Sequence, residues 1–195
     1  MRDQTLTRRT VIASAAFVPL AALTATAQAK KLALTPVQRR TLEAILDRLV
    51  PKDELGPGAV EMGAAEYIDR SLADALAAEK VAFLAGLTRT DQFATASQGA
   101  AFAELSGEKG DAVLTAMEAG TAGGFSDAQG FFNRVRRLTL EGMFGDPYYG
   151  GNKNFAGWDL IRYPGAKLAV TPQDQRMSAV PTPVRRSVWG DQHGH

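Results

Sequence analysis

The stretch Leu34-Thr35-Pro36-Val37-Gln38-Arg39-Arg40-Thr41-Leu42-Glu43-Ala44-Ile45-Leu46-Asp47-Arg48-Leu49-Val50-Pro51 sets how the rest of the chain is read. Thr35 stands where a helix N-cap belongs. Pro36 takes the first helical position, where its missing N–H is no loss, and Gln38 the reciprocal position of a capping box. Val37, Leu42, Ile45, Leu46 and Leu49 then fall on one stripe of a 3.6-residue period, with charged residues opposite. Pro51 pushes Val50 out of the α region and ends the helix.

The same period recurs downstream of the loop Asp53-Glu54-Leu55-Gly56-Pro57-Gly58. Residues 61–77 place Met62, Ala65, Ile68, Leu72 and Leu76 on one side, and a third helix is expected from about residue 79 through Phe83, Leu84 and Leu87. Ser106 is a candidate N-cap for a short helix carrying Val113, Leu114 and Met117. Ser126-Asp127-Ala128-Gln129 reads as a second capping box. It opens a helix with Phe131, Phe132, Val135, Leu138 and Met143 inward and Arg134, Arg136 and Arg137 mainly outward. Residues 30–145 show no sustained period-2 alternation and no internal repeat. The fold class expected is therefore all-α, a small domain of about five helices.

The character changes near Gly145. Residues 146–195 are rich in Gly, Pro and aromatics: Asp146-Pro147-Tyr148-Tyr149-Gly150-Gly151-Asn152-Lys153-Asn154, then Gly157-Trp158, then Tyr163-Pro164-Gly165. No apolar period supports a helix there beyond a turn around Trp158. Long segments of this kind are functional or disordered, and the Tyr and Trp content argues against plain disorder. An extended, aromatic-studded segment suits lying along a partner's surface, where Tyr and Trp serve as anchors. Tyr148, Tyr149, Trp158, Tyr163 and Trp189 are the expected anchors.

At the other end, residues 1–29 read as an export signal. Arg2, Arg8 and Arg9 form the basic region, residues 11–23 are apolar, and Ala27-Gln28-Ala29 is an A-x-A cleavage site before Lys30. The apolar run is short of the roughly 20 residues a membrane span needs. Thr7-Arg8-Arg9-Thr10-Val11-Ile12 fits the twin-arginine pattern, whose route carries proteins already folded, often with a cofactor in place. The expected organisation is a signal over residues 1–29, a helical domain over 30–145 and an extended C-terminal segment over 146–195.

Composition removes most chemistries. With 22 Lys+Arg against 21 Asp+Glu, the 195-residue chain lacks the basic footprint of a nucleic-acid binder. It holds no Cys, so no disulfide, thiolate metal site, iron–sulfur cluster or thioether-attached haem, and its only His are His193 and His195 at the C-terminus. Neither a catalytic nor a cofactor-binding nor a metal residue is expected. Asp53 and Glu54 are adjacent carboxylates, but acid–base pairs act from opposed sides of a substrate, and neighbours in a Gly/Pro loop are usually solvated. The Gly-rich stretch 120–124 lacks the phosphate-binding frame, and the three arginines of 134–137 read as a solvated helix face. Asp146, Tyr148, Tyr149, Asn152, Asn154 and Trp158 also have the composition of a carbohydrate-binding surface. A stand-alone sugar-binding module is therefore the alternative reading, and an enzyme acting through Asp53/Glu54 or Asp146 a weaker one.

The two most distinctive stretches resemble a known family. Leu34-Thr35-Pro36-Val37-Gln38 through Val50-Pro51-Lys52-Asp53-Glu54-Leu55-Gly56-Pro57-Gly58-Ala59 looks like the opening motif of the gluconate 2-dehydrogenase subunit 3 family. Thr139-Leu140-Glu141-Gly142-Met143-Phe144-Gly145-Asp146-Pro147-Tyr148-Tyr149-Gly150-Gly151-Asn152, with Gly157-Trp158 and Tyr163-Pro164-Gly165, looks like its closing motif. The resemblance implies the small subunit of a membrane-associated dehydrogenase. The large flavoprotein subunit holds FAD and oxidises a sugar, polyol or aldonate, and a cytochrome c subunit with haem c often passes the electrons on. The small subunit has no redox centre of its own and supports assembly and export of the flavoprotein. It would act at the periplasmic face of the inner membrane, with Arg8 and Arg9 addressing the twin-arginine translocase. Asp146, Pro147, Tyr148, Tyr149, Gly150, Gly151, Asn152, Trp158 and Tyr163 are then the expected docking residues.

Overall fold

A computed structural model describes residues 32–166, 169–178 and 184–190. The expected export signal with Arg8 and Arg9, and the C-terminal His193 and His195, lie outside the described residues. Among the described residues the architecture is all-α, with α1 Pro36–Leu49, α2 Ala64–Ala73, α3 Lys80–Gln98, α4 Gly107–Glu118, α5 Ala128–Phe144 and the short α6 Ala156–Leu160.

Helix α1 starts as its sequence dictates. Gln38 N donates to Thr35 Oγ1 at 3.3 Å while Thr35 N donates to Gln38 Oε1 at 3.0 Å, closing the capping box. Thr41, Leu42, Ile45 and Leu46 form its buried stripe. Val37, expected in that stripe, is instead exposed, because it lies in the first turn before the helix reaches its neighbours.

Helix α2 is shorter than expected and α3 longer. Residues 61–63 form a turn before α2 that still buries Met62. The core is built from Met62, Ile68, Leu72, Phe83, Leu87, Val113, Met117, Phe131, Phe132, Val135, Leu138 and Met143. Helices α2 and α5 pack closely at Gly142, where a side chain would stand 2.9 Å from the Ala64 Cα. No side-chain cap forms at Ser126-Asp127-Ala128-Gln129. Gln129 Nε2 instead donates to the Glu118 carbonyl at the end of α4, at 2.8 Å. That bond satisfies a free helix-end acceptor, which outcompetes a local box.

The entry to α1 is held by a buried carboxylate. Asp69 of α2 accepts from Ala33 N at 2.6 Å and Leu34 N at 3.0 Å, and Arg39 Nη1 lies 3.6 Å from its other oxygen. Sequence spacing carried the signal for Asp69: it stands four residues after Ala65 and three before Leu72, inside an otherwise apolar stripe.

Candidate partner-docking surface

A helix ends with four carbonyls that have no partner within it. At the end of α5 the chain supplies donors from the segment that follows. Gly145 N bonds Glu141 O at 2.8 Å, and Asn152 N bonds Gly142 O at 2.7 Å. Asn152 Nδ2 bonds Gly145 O at 2.9 Å, and Trp158 Nε1 bonds Phe144 O at 2.8 Å. Asn152 Oδ1 in turn accepts from Gly157 N at 2.8 Å, and Lys153 N reaches Met62 O at 3.0 Å, tying the segment to the turn before α2. Residues 145–165 are thus folded back on the helices through 3-10 turns at Pro147–Tyr149 and Lys153–Phe155 and through α6.

Backbone conformation shows how firmly this knot is imposed. Asn152, Asn154 and Phe155 have φ of 44°, 55° and 60°. Asn tolerates the left-handed region through local hydrogen bonds, whereas a bulky Phe there costs about 1–2 kcal/mol. Gly151 sits so close to the Gly142 carbonyl that any side chain would overlap it. Trp158 is 6% exposed, with its ring against Phe155 at 5.3 Å and Tyr163 at 4.8 Å between centroids.

The outer side of the knot presents aromatic rings. Tyr148, Tyr149, Tyr163 and Trp189 are 39%, 49%, 42% and 55% exposed, and at the α6 end Leu160 and Ile161 are exposed, Leu160 beside Gly56 of the 53–58 loop. Tyr148 stacks on Trp189 at 5.1 Å and meets Tyr149 edge-on at 5.2 Å. The Tyr148 and Tyr149 rings, carried on the 3-10 turn and packed edge-on, lose little conformational freedom on binding, and Tyr is enriched at interface cores.

The nine residues expected to dock divide accordingly. Tyr148, Tyr149 and Tyr163 are at the surface, while Asp146 and Pro147 are half-buried. Gly150, Gly151, Asn152 and Trp158 are buried within the chain. Trp158 and Asn152 are therefore corrected from surface anchors to internal ones, because the α5 end needs their N–H donors. Residues 146–165, expected to be extended, are instead turned and helical, and residues 169–178 and 184–190 carry turns and no helix.

The remaining candidates have structural partners. Asp53 Oδ1 accepts from Leu55 N at 2.8 Å in an exposed turn. Asp146 caps its 3-10 turn by accepting from Tyr148 N at 2.9 Å. Arg134 pairs with Glu79, Arg136 with Glu118 at 3.8 Å, and Arg137 with Glu141 at 2.8 Å. A groove of about 520 Å³ between α3 and α5 is floored by Phe83, Phe125 and Phe131. Arg89, its edge cation outside the Glu79–Arg134 pair, rests over the Phe125 ring. Burial raises the Tyr67 hydroxyl above its ordinary range, helped by its bond to Glu141 Oε2 at 2.9 Å. Bonding to Arg48 lowers the exposed Asp111 carboxyl. Among the described residues no three His, Cys, Asp or Glu gather as a metal site, and no helix is long and apolar enough to cross a membrane.

The family profile of gluconate 2-dehydrogenase subunit 3 matches residues 36–165, two thirds of the chain. The chain belongs to that family. The match runs from the first residue of α1 to the end of the knot, so the helical fold and Tyr148, Tyr149 and Tyr163 lie within it, and residues 166–195, Trp189 among them, lie beyond it. As the family's name states, its members are subunits of a multi-subunit dehydrogenase, consistent with a larger catalytic partner. No curated protein and no solved structure matches the chain.

Proposed function

We propose that the chain is the non-catalytic small subunit of a periplasmic FAD-dependent dehydrogenase complex that oxidises a sugar, polyol or aldonate. It docks the flavoprotein through the face bearing Tyr148, Tyr149 and Tyr163, and it supports that subunit's assembly and twin-arginine export. FAD, and haem c where a cytochrome subunit is present, reside in the partners. The observation that carries this reading is the exposed aromatic cluster held on a rigid knot inside the family-matched region. The Arg8-Arg9 signal supplies a reason for a cofactor-free chain to use a folded-protein route: the folded passenger is the partner.

The test is a tagged pull-down from periplasm and solubilised membrane, with mass spectrometry and a flavin absorbance scan. Recovery of a yellow FAD protein supports the reading, and a colourless chain recovered alone counts against it. Replacing Arg8 and Arg9 by Lys should leave both subunits in the cytoplasm; a flavoprotein that still reached the periplasm would sink the passenger idea.

A further inference from the structure

Residues 184–190 return across the face built by residues 146–164 in a turned path, closed by Arg186 N to Val184 O at 2.8 Å and Gly190 N to Ser187 O at 3.2 Å, and touch the face through three side chains. Arg185 Nη2 lies 2.5 Å from Asp159 Oδ2, Ser187 Oγ donates to Asp146 Oδ1 at 2.7 Å, and the Trp189 ring stacks on Tyr148 at 5.1 Å. The side chains of residues 185, 187 and 189 thus make the contacts to the face; Ser187 is buried, while Arg185 and Trp189 stay exposed. Backbone bonds complete the seating, from Val184 N to Pro164 O at 2.9 Å and from Val188 N to Asp146 Oδ2 at 3.1 Å. Asp146, Tyr148, Asp159 and Pro164 lie within the family-matched residues, and residues 184–190 lie outside them.

We propose that residues 184–190 are an internal occupant of the partner-binding face. The face takes a segment of the partner flavoprotein that brings a cation to Asp159, a hydrogen-bond donor to Asp146 and an aromatic ring to Tyr148, and this segment displaces the internal one. The proposal rests on the docking reading above and adds the chemistry of the docked segment.

Two features make the internal segment displaceable. It buries no apolar side chain; Ser187 is its one buried residue, and the Arg185–Asp159 pair is exposed, the class of ion pair that contributes least. It is also reached through residues 169–178, each of them exposed. Such low-burial segments open at small cost. Tethered to the body, the segment competes as a high effective concentration of a weak ligand, and the partner's apparent affinity falls by the fraction of chains left open. Once it leaves, the Asp146 and Asp159 carboxylates form an anionic edge beside exposed rings, complementary to a cation-plus-aromatic segment.

The experiment measures binding of the flavoprotein subunit, isolated from the native complex, to the full-length chain and three variants. Arg185→Glu repels the segment from Asp159 and should tighten binding by about three- to tenfold, with thermal stability unchanged because no core residue is touched. Unchanged or weaker binding would overturn the proposal. The double variant Arg185→Glu/Asp159→Arg re-forms the internal ion pair with its charges exchanged but presents a cation to the partner's cation, and it should bind more weakly than the unaltered chain. Binding equal to that of the unaltered chain would show that the partner brings no cation there, and would also overturn the proposal. Tyr149→Ala separates the two readings, since the 184–190 segment stacks on Tyr148 rather than Tyr149. A loss of binding in Tyr149→Ala with no gain in Arg185→Glu leaves the docking reading standing and removes the displacement. No loss in Tyr149→Ala removes the docking reading itself.

Discussion

The helical body and the segment after it face one problem, burying apolar surface without stranding backbone polar groups, and solve it differently. In helices α1 to α5 each N–H beyond the first turn finds a carbonyl four residues back, so the side chains are free to declare their burial by period alone. In residues 145–165 the partners are distant: Asn152 reaches Gly142 and Gly145, Trp158 reaches Phe144, and Lys153 reaches Met62. The body is specified by repetition and the segment by single residues. Loss of one residue should therefore matter more in the segment than at a comparable exposed position of a helix.

The largest effect is expected at Trp158. Its ring is buried and its N–H closes the α5 end, so Trp158→Ala should cost about 3–5 kcal/mol of unfolding free energy. Trp158→Phe keeps most of the apolar area but leaves the Phe144 carbonyl without that donor, and should cost about 1–3 kcal/mol. Denaturant unfolding measures both. A loss below about 1 kcal/mol for Trp158→Ala would mean that the segment is not integral to the fold. Asn152→Ala comes next, at about 2–3 kcal/mol, because it removes two hydrogen bonds at a buried site and places a poorer residue at positive φ. Val37→Ser, in the exposed first turn of α1, is the matching control in the body and should fall within about 0.5 kcal/mol of zero.

These positions also mark what could be read from the sequence. The capping box at Thr35 and Gln38, the α2 stripe and the inward face of α5 were all readable, because caps and periods are local. Val37 shares the stripe yet is exposed, since periodicity gives a face but not where along it the neighbouring helices begin. The Gly/Pro/aromatic run pointed correctly to a special segment but not to which rings turn inward. Trp158 and Tyr163 look alike in sequence, and only the donor requirement of the α5 end separates them. Ser187 meeting Asp146 had no sequence signal, being a contact between positions 41 residues apart with no period linking them.

Asp69 sharpens the comparison from inside the body, as a helix residue that behaves like one of the segment. Its carboxylate serves two backbone N–H groups at the entry to α1 and faces Arg39. Asp69→Ala leaves those donors and Arg39 without it, and should cost about 2–3 kcal/mol. Asp69→Asn, which retains one acceptor, should cost less. Amide exchange at Ala33 and Leu34 should rise first, before any change at the α5 end. If protection fell equally at both ends, the entry would not be a separate local unit.

The smallest effect concerns pH, where body and segment meet. Tyr67 of α2 donates to Glu141 of α5, one turn before the knot. Burial first, and then that bond to a carboxylate, raise its proton affinity in the folded state. A group whose folded pKa lies above its unfolded value binds its proton more tightly when folded. Its stabilising contribution is therefore complete below the unfolded tyrosine value of about 10, and it is lost as pH rises from there through the folded value. Neutral pH should reveal little of this coupling. Stability of the unaltered chain should fall on the alkaline side of that value, and Tyr67→Phe should flatten that part of the fall. Phenolate absorbance, followed alongside unfolding, locates the ionisation. An unaltered alkaline slope in Tyr67→Phe would assign the fall to other groups and leave the Tyr67–Glu141 bond as a packing contact without proton linkage.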